Sequence, residues 1–227
     1  MASLPEHLSA KPAGRTRLSR EVMLQHQRDR VLSVATEVFA KRGYNATTVD
    51  HIVSAAGIGV GTFYEFFENK EDCFLQAYER IVARGRQEVA AAISVERPWS
   101  ERACAAMRVL LAAIEERPLE ARLALVEVQT AGPVALARHE ETLAAIGPFL
   151  AVARRSSPVA EELPATLETA LVGGVLWFLQ QRIVIGETAG MEALLPDLAA
   201  IVVEPYFGAE EAERAAAAAL GTEPIAG

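Results

Sequence analysis

The sequence is poor in the residues that disulfide bonds, metal sites and membrane spans require. Its two cysteines, Cys73 and Cys104, lack CxxC spacing, so we expect them to be helix-buried thiols in a reducing cytosol. The longest apolar run, residues 170–179, is roughly half as long as a membrane-spanning helix. No signal-peptide pattern is visible. These absences predict a soluble cytoplasmic protein that holds no metal and no cofactor.

Catalytic motifs are absent as well. The sequence has no GxSxG, no HExxH and no glycine-rich phosphate loop, and its four histidines are scattered. Adjacent acids such as Glu115 and Glu116 point in different directions on a helix, so they do not form a paired-carboxylate site. We therefore expect no enzymatic activity.

The composition favours helices. Of the 227 residues, 51% are hydrophobic and 23% are charged, which suits a packed core. Apolar residues recur at helical spacing, and no alternating strand pattern competes with them. The predicted fold class is all-α, with a three-helix N-terminal bundle and a larger C-terminal helical domain that includes one helix at 134–155. We divide the chain into a flexible basic arm at 1–18, a small domain at 19–69 and a large domain at 70–227.

Charge is distributed unevenly between these parts. The chain carries a formal net charge of −8, from 22 Lys and Arg against 30 Asp and Glu. Residues 1–70 hold nine of the basic and seven of the acidic residues, which leaves 13 basic and 23 acidic residues for the remainder. The N-terminal part is therefore about +2 and the rest about −10, so only the former suits an approach to phosphate.

Residues 20–66 predict three helices in close succession. A helix at 20–42 ends at Gly43, a residue suited to a left-handed C-terminal cap. Two short helices follow within 47–66, joined by a tight turn at Gly57. Two short helices braced by a preceding one form a helix-turn-helix, in which the second helix enters the major groove of DNA.

The caps of these helices leave alternatives open. Either Thr47 or Thr48 can cap the second helix, and Thr47 with Asp50 makes a variant capping box. Asn69 caps a long fourth helix that starts at Lys70.

The third helix has one apolar side and one side free for a partner. Phe63 and Phe67, four residues apart, supply the apolar side. Gly61 has no side chain, so its backbone can come close to a base or a phosphate. The opposite side consists of Val60, Gly61, Thr62, Tyr64 and Glu65.

Residues 47–75, TTVDHIVSAAGIGVGTFYEFFENKEDCFL, resemble the signature of the TetR (tetracycline repressor) family. The matching elements are the Thr-Thr-Val start, Ile52, Ala56-Gly57, Gly61-Thr62-Phe63-Tyr64, Phe67 and Asn69-Lys70-Glu71. Ala35, Val38, Phe39 and Gly43-Tyr44 match as well. The matching elements cover about a quarter of the chain and form a dense, ordered pattern.

The resemblance implies DNA contacts at matching positions. Thr48 and Tyr64 would bond backbone phosphates, unless Thr48 only caps its helix and Tyr64 packs beneath the third helix. Thr62 would meet a phosphate or a thymine methyl group, and Lys70 would pair with phosphate. The full predicted set is Thr47, Thr48, Asp50, Val60, Gly61, Thr62, Tyr64, Glu65 and Lys70.

Three residues depart from the family pattern. Asp50 and Glu65 are acidic where basic or aromatic residues are common, and Val60 replaces a residue that is often polar. Asp50 either belongs to the capping box or accepts a hydrogen bond from cytosine N4. Together these residues predict few hydrogen bonds to bases and a reliance on apolar contacts and DNA shape.

The resemblance also implies a larger domain that dimerises and encloses a ligand pocket. The predicted pocket residues are Trp99, Met107, Leu110, Leu125, Gln129, His139, Phe149 and Trp177, and each of them could instead pack in the core. A pocket with this apolar lining suggests a hydrophobic small molecule. The predicted dimer interface is Leu171, Gly174, Val175, Phe178, Leu198 and Val202.

The resulting functional hypothesis is a DNA-binding transcriptional regulator. It would be a homodimeric repressor that binds a palindromic operator in double-stranded DNA and is released by a small hydrophobic effector. The acids on the predicted DNA face leave one alternative, an all-helical adaptor whose helix-turn-helix binds protein rather than DNA.

Overall fold

The computed structural model describes the backbone of residues 13–221 and the side chains of residues 22–221. Its regular secondary structure there is helical throughout, which confirms the all-α prediction. The α-helices are α1 (Ala13–Arg42), α2 (Val49–Ala56), α3 (Val60–Phe66), α4 (Lys70–Ala92), α5 (Trp99–Glu116), α6 (Pro118–Leu125), α7 (Pro133–Ala144), α8 (Gly147–Ser156), α9 (Leu167–Ile185), α10 (Leu195–Val202), α11 (Glu204–Phe207) and α12 (Ala209–Leu220). Two 3₁₀ turns, Glu127–Thr130 and Met191–Leu194, connect α6 to α7 and lead into α10.

Two predicted boundaries were wrong. Helix α1 starts at Ala13 rather than near Arg20, so residues 13–18, assigned to a flexible arm, have helical backbone. Residues 1–12, the rest of that arm, lie outside the described residues. A single helix expected at 134–155 is instead α7 and α8, because Pro148 lacks an N–H group and its ring crowds the preceding turn.

The first hydrophobic core joins the N-terminal helices to the larger domain. Phe39, Phe63 and Phe74 are fully buried in it. Leu123 of α6 and Val128 of the first 3₁₀ turn pack into the same core and are also fully buried. The small bundle of α1–α3 therefore shares its core with α4, α6 and α7, so movements of these helices reach it directly.

The second core lies within the larger domain. Trp99 is buried against Phe149, with its indole N–H donating to the Phe149 carbonyl at 2.9 Å, and Tyr206 packs on the other side. Arg154 donates to Glu168 at 2.7 Å, which ties α8 to α9 and lowers the pKa of that carboxyl to about 2. No helix within residues 13–221 is both long and apolar enough to cross a membrane.

Both cysteines are buried thiols, as predicted. Cys73 of α4 lies in the first core and Cys104 of α5 lies in the second, each with no exposed surface. Burial raises the pKa of both thiols to about 12, so neither forms a reactive thiolate at neutral pH.

The loop between α1 and α2 is held by two charged side chains that come from later in the chain. The Lys70 ammonium donates to the carbonyls of Tyr44 and Thr47, each at 3.0 Å, and lies 4.1 Å from the centre of the Tyr44 ring. The carboxylate of Glu127, which is 7% exposed, accepts the Tyr44 backbone N–H at 3.0 Å. Arg122 lies 3.3 Å from the other Glu127 oxygen and balances its charge.

Lys70→Met keeps the alkyl stem of the side chain and removes its ammonium group. We expect the free energy of unfolding to fall by about 2 kcal/mol, because two backbone carbonyls lose a charged donor. Urea unfolding of the DNA-free protein at fixed concentration measures this change.

Lys41→Met is the matched control for this prediction. Lys41 is well exposed and pairs only with Glu37 one turn away, so its loss should change the stability by less than about 0.5 kcal/mol. Equal stability of the Lys70 variant and the parent protein would contradict a structural role for Lys70.

Candidate nucleic-acid interface

The N-terminus of α2 is fixed by a reciprocal capping box. The Thr48 hydroxyl accepts the His51 backbone N–H at 3.3 Å, and the His51 Nδ1 atom accepts the Thr48 backbone N–H at 3.2 Å. The cap is therefore Thr48 with His51, and the prediction of a box between Thr47 and Asp50 was wrong. Asp50 is exposed in the first turn of α2.

The turn between α2 and α3 depends on Gly57, which has a left-handed backbone with φ of 64°. The next residue, Ile58, donates its N–H to the Val53 carbonyl at 3.1 Å and closes the helix end. Phe63 and Phe67 then anchor α3, with exposures of 0% and 2%. This confirms the predicted apolar side and fixes which side of α3 faces outward.

The outward side of α3 is apolar and aromatic rather than basic. Val60 is 45% exposed and Tyr64 is 55% exposed, while Glu65 is exposed and Thr62 is half-buried. A Cβ atom added to Gly61 would meet no other part of the protein within 4 Å. Tyr64 therefore does not pack beneath α3, and its ring stands edge-on to Phe63. This surface can receive a partner along the whole length of α3.

Thr47 does not belong to this surface. Only 1% of it is exposed, and its hydroxyl donates to the Gly43 carbonyl at 2.8 Å. Its prediction as a DNA contact was wrong, because the loop turns its side chain inward. Lys70, predicted to pair with phosphate, donates two of its three ammonium N–H groups to carbonyls of the loop between α1 and α2.

A pair of residues beside the α2 cap was not predicted from the sequence. Arg42, in the last turn of α1, brings its Nη2 atom to 3.2 Å from the Nε2 atom of His51. The only signal in the sequence was the position of His51 three residues after Thr48, where a capping box places its second side chain.

The predicted pocket residues do not line one cavity. Trp99, Met107, Leu125 and Phe149 pack together in the second core. Leu110, Gln129 and Trp177 do not belong to that core and are exposed, Leu110 at 45% and Trp177 at 62%, so their place in a pocket stays a prediction.

His139 is buried with 3% exposure, but it lies against Tyr78 next to the first core. Its Nδ1 atom lies 3.2 Å from the Tyr78 hydroxyl, and its Nε2 atom has no partner within the described residues. Burial lowers the pKa of His139, so the ring is neutral at pH 7.

Two open clefts border α4. One, of about 300 Å³, lies against α7 and is lined by Tyr78, Glu79, Val82, Ala83, Arg86, Arg138, Glu141 and Thr142. The other, of about 340 Å³, lies against α5 and is lined by Glu88, Ala91, Arg108, Val109, Ala112, Ala113, Glu116 and Arg117. Because α4 starts directly after the helix-turn-helix, a ligand in either cleft would contact the helix that leads to it.

The predicted dimer residues divide in a similar way. Leu171 and Leu198 are buried in the core of their own chain, with exposures of 8% and 2%, so they are corrected to core residues. Val175, Phe178 and Val202 are half-buried against that core, and Gly174 is exposed. The outward stripe of α9 and α10 consists of Gly173, Gly174, Trp177, Gln181, Val184, Ile185 and Ile201.

Known proteins resemble the chain in two ways. Residues 31–77 match the family model described as bacterial regulatory proteins, tetR family. The HTH-type transcriptional regulator YhgD of Bacillus subtilis is 33% identical over 81 residues, which are 36% of this chain and 42% of YhgD. The chain thus matches less than half the length of this relative.

Solved structures extend the likeness to most of the chain. The fatty acid degradation regulator FadR from Bacillus halodurans superposes with a TM-score of 0.68 at 17% identity, over 78% of this chain and 94% of that one. FadR from Bacillus subtilis, in complex with stearoyl-CoA, gives a TM-score of 0.63 at 19% identity, over 77% and 97%. These likenesses establish the fold, and the family model establishes the helix-turn-helix. Residues 31–77 therefore resemble the DNA-binding region of tetR-family bacterial regulatory proteins, and the chain as a whole shares the fold of these regulators.

Proposed function

We propose that the protein is a homodimeric transcriptional repressor that binds a palindromic operator and releases it when a small hydrophobic effector binds. The observation that carries this proposal is the outward side of α3. Phe63 and Phe67 are buried beneath the helix, while Val60 and Tyr64 are 45% and 55% exposed and Gly61 has open space around it within the described residues. The family is one of DNA-binding regulators rather than enzymes.

The chemistry of α3 supports recognition by shape and apolar contact. Val60 can meet a thymine methyl group, and Gly61 allows the backbone to approach the groove closely. Glu65 repels phosphate unless it accepts a hydrogen bond from a cytosine amino group. Sequence preference should therefore depend strongly on DNA deformability.

The outward stripe of α9 and α10 supports a homodimer. Trp177, Val184 and Ile185 are large apolar side chains with exposures of 62%, 48% and 63%. They recur at helical spacing beside Gly173 and Gly174. The bulky ring of Trp177 therefore lies next to a shallow recess at these two glycines, which have no side chains. A two-fold axis would let each copy fill the recess of the other, which is how a self-complementary interface forms. Two α3 helices one DNA turn apart also require a second copy.

The second core supports a hydrophobic effector. Trp99, Met107 and Phe149 form an apolar cluster in the larger domain, and the cleft beside α5 shares that domain. FadR of Bacillus subtilis, a structural neighbour, is in complex with stearoyl-CoA. An effector that prefers a state with α4 displaced would weaken operator binding, and the operator would weaken effector binding by the same factor. We place this regulation in the cytoplasm, where bacterial DNA lies.

Gly61→Ala tests contact between α3 and DNA. The added methyl group meets nothing in the free protein, so folding should be unaffected or slightly stabilised. Against a duplex selected from a random pool, we expect at least tenfold weaker binding, because the backbone can no longer approach the groove. Fluorescence anisotropy at fixed salt measures this affinity.

Gly85→Ala is the matched control for this test. Gly85 is a helical glycine of α4 that also has open space around it, so its variant should bind the duplex as the parent does. If the random pool yields no enriched sequence, the adaptor alternative replaces DNA binding. If both variants bind equally well, α3 is not the reading helix.

Trp177→Glu tests the dimer interface. Because most of this side chain is exposed in the single chain, its replacement should leave each chain folded and separate the copies. In sedimentation at micromolar concentration, we expect the parent at twice 24.4 kDa and the variant at 24.4 kDa. Val95→Glu is the control, since Val95 is 82% exposed between α4 and α5, away from the stripe. A monomeric parent protein, or a dimeric Trp177 variant, would contradict the interface.

Trp177→Phe leaves Trp99 as the single tryptophan and makes it a reporter for the effector. Titration with stearoyl-CoA should change its fluorescence in a saturable way and release the selected duplex, whereas coenzyme A alone should do neither. A panel of acyl-CoA, steroid and aromatic ligands that leaves both signals unchanged would overturn the proposed effector class.

A further inference from the structure

The nitrogens of Arg42 and His51 that face each other are both hydrogen-bond donors, so the pair lacks an acceptor. The Thr48 backbone N–H points at the Nδ1 atom of His51 at 3.2 Å, so Nδ1 must be the acceptor. In a neutral imidazole the proton then lies on Nε2. That N–H faces the Arg42 guanidinium, which has only donors, at 3.2 Å between the nitrogens.

Two donors that face each other cannot form a hydrogen bond. The close approach of Nε2 and Nη2 is therefore favourable only when an acceptor lies beside both of them. Within residues 22–221, no carboxylate lies within ion-pair distance of Arg42, whereas its neighbour Lys41 is paired with Glu37 at 2.8 Å. The described residues supply no acceptor to this exposed pair, so both groups are free to donate to a molecule bound there.

The surroundings favour an acceptor that carries negative charge. The planar guanidinium fork of Arg42 matches the oxygens of a phosphate or a carboxylate. The first turn of α2 is adjacent, and the N–H groups of Val49 and Asp50 are left unpaired as in any helix start. Tyr64, on the outward side of α3, belongs to the same helix-turn-helix.

We propose that Arg42 and the Nε2–H of His51 together bind one phosphate of the DNA backbone. The inference rests on the proposed DNA-binding function and names a phosphate contact within it. It also assigns different tasks to two cations, since Lys70 holds the loop and Arg42 receives the phosphate. A phosphate contact of this kind adds affinity and fixes position on the duplex without reading the sequence.

The test compares the salt dependence of duplex binding between variants. Arg42→Gln should reduce the slope of log affinity against log salt by about 2 for a dimer, because each half-site loses one phosphate contact. Affinity should fall about tenfold for each half-site, and by the same factor on selected and random duplexes. Arg42→Lys keeps the charge and should retain most of the slope.

His51→Glu separates phosphate binding from helix capping. Glutamate at this position still accepts the Thr48 backbone N–H, so the capping box survives and α2 stays folded. The new carboxylate satisfies Arg42 and repels phosphate, so binding should weaken at least as much as in Arg42→Gln. Circular dichroism and thermal unfolding check that this variant remains folded.

Lys41→Gln is the charge-matched control, since it removes one positive charge from the same helical turn. Because Lys41 already pairs with Glu37, its slope change should be less than half of that for Arg42→Gln. An equal change in slope in both variants would mean that the salt dependence reflects overall charge rather than a site at Arg42. That result would overturn the inference.

A second readout distinguishes failure of the site from failure of the proposed function. In ¹⁵N-labelled protein, the His51 Nε2 resonance should shift on titration with a short duplex, and with inorganic phosphate, but not in Arg42→Gln. If phosphate shifts this resonance and no duplex binds, the anion site stands and DNA binding fails. If a duplex binds and the resonance does not move, DNA binding stands and the site is overturned.

Discussion

The orientation of α3 on the protein surface depends on the loop between α1 and α2. The Lys70 ammonium holds the carbonyls of Tyr44 and Thr47 and covers the Tyr44 ring. This contact sets where Thr48 lies, and Thr48 starts α2 through the capping box with His51. Because α3 follows α2 after a turn at Gly57, the direction of its exposed side is determined by the same few bonds.

The buried carboxylate of Glu127 makes this loop part of the larger domain as well. Glu127 lies in the 3₁₀ turn between α6 and α7, and its carboxylate accepts the Tyr44 backbone N–H. Burying a carboxylate without a partner costs free energy. Here the Tyr44 N–H donates to the Glu127 carboxylate, and Arg122 balances its charge. If an effector shifts α6 or α7, as the proposed function requires, that shift has to break this bond or move the loop with it. Such a shift acts on the loop and needs no distortion of α3 itself.

Much of this arrangement could be predicted from the sequence, and the failures have physical reasons. Helical spacing placed Phe63 and Phe67 beneath α3 correctly, because local periodicity reports which side of a helix is buried. Local patterns could not decide between Thr47 and Thr48, since either hydroxyl suits a cap. The bond from Glu127 to Tyr44 joins residues 83 positions apart, which no local pattern reveals. Helix α9 is apolar around its circumference, so its sequence could not show that Leu171 faces inward and Trp177 outward.

Hydrogen exchange at the Tyr44 backbone amide tests the central claim most directly. The buried carboxylate of Glu127, from the larger domain, fixes this loop and thereby α2 and α3. The Tyr44 amide should then exchange as slowly as amides within α4, and much more slowly than the amide of the exposed loop residue Ala46. Glu127→Ala should remove that protection while the amides within α9 keep theirs. A Tyr44 amide that exchanges as fast as Ala46 in the parent protein would contradict the account.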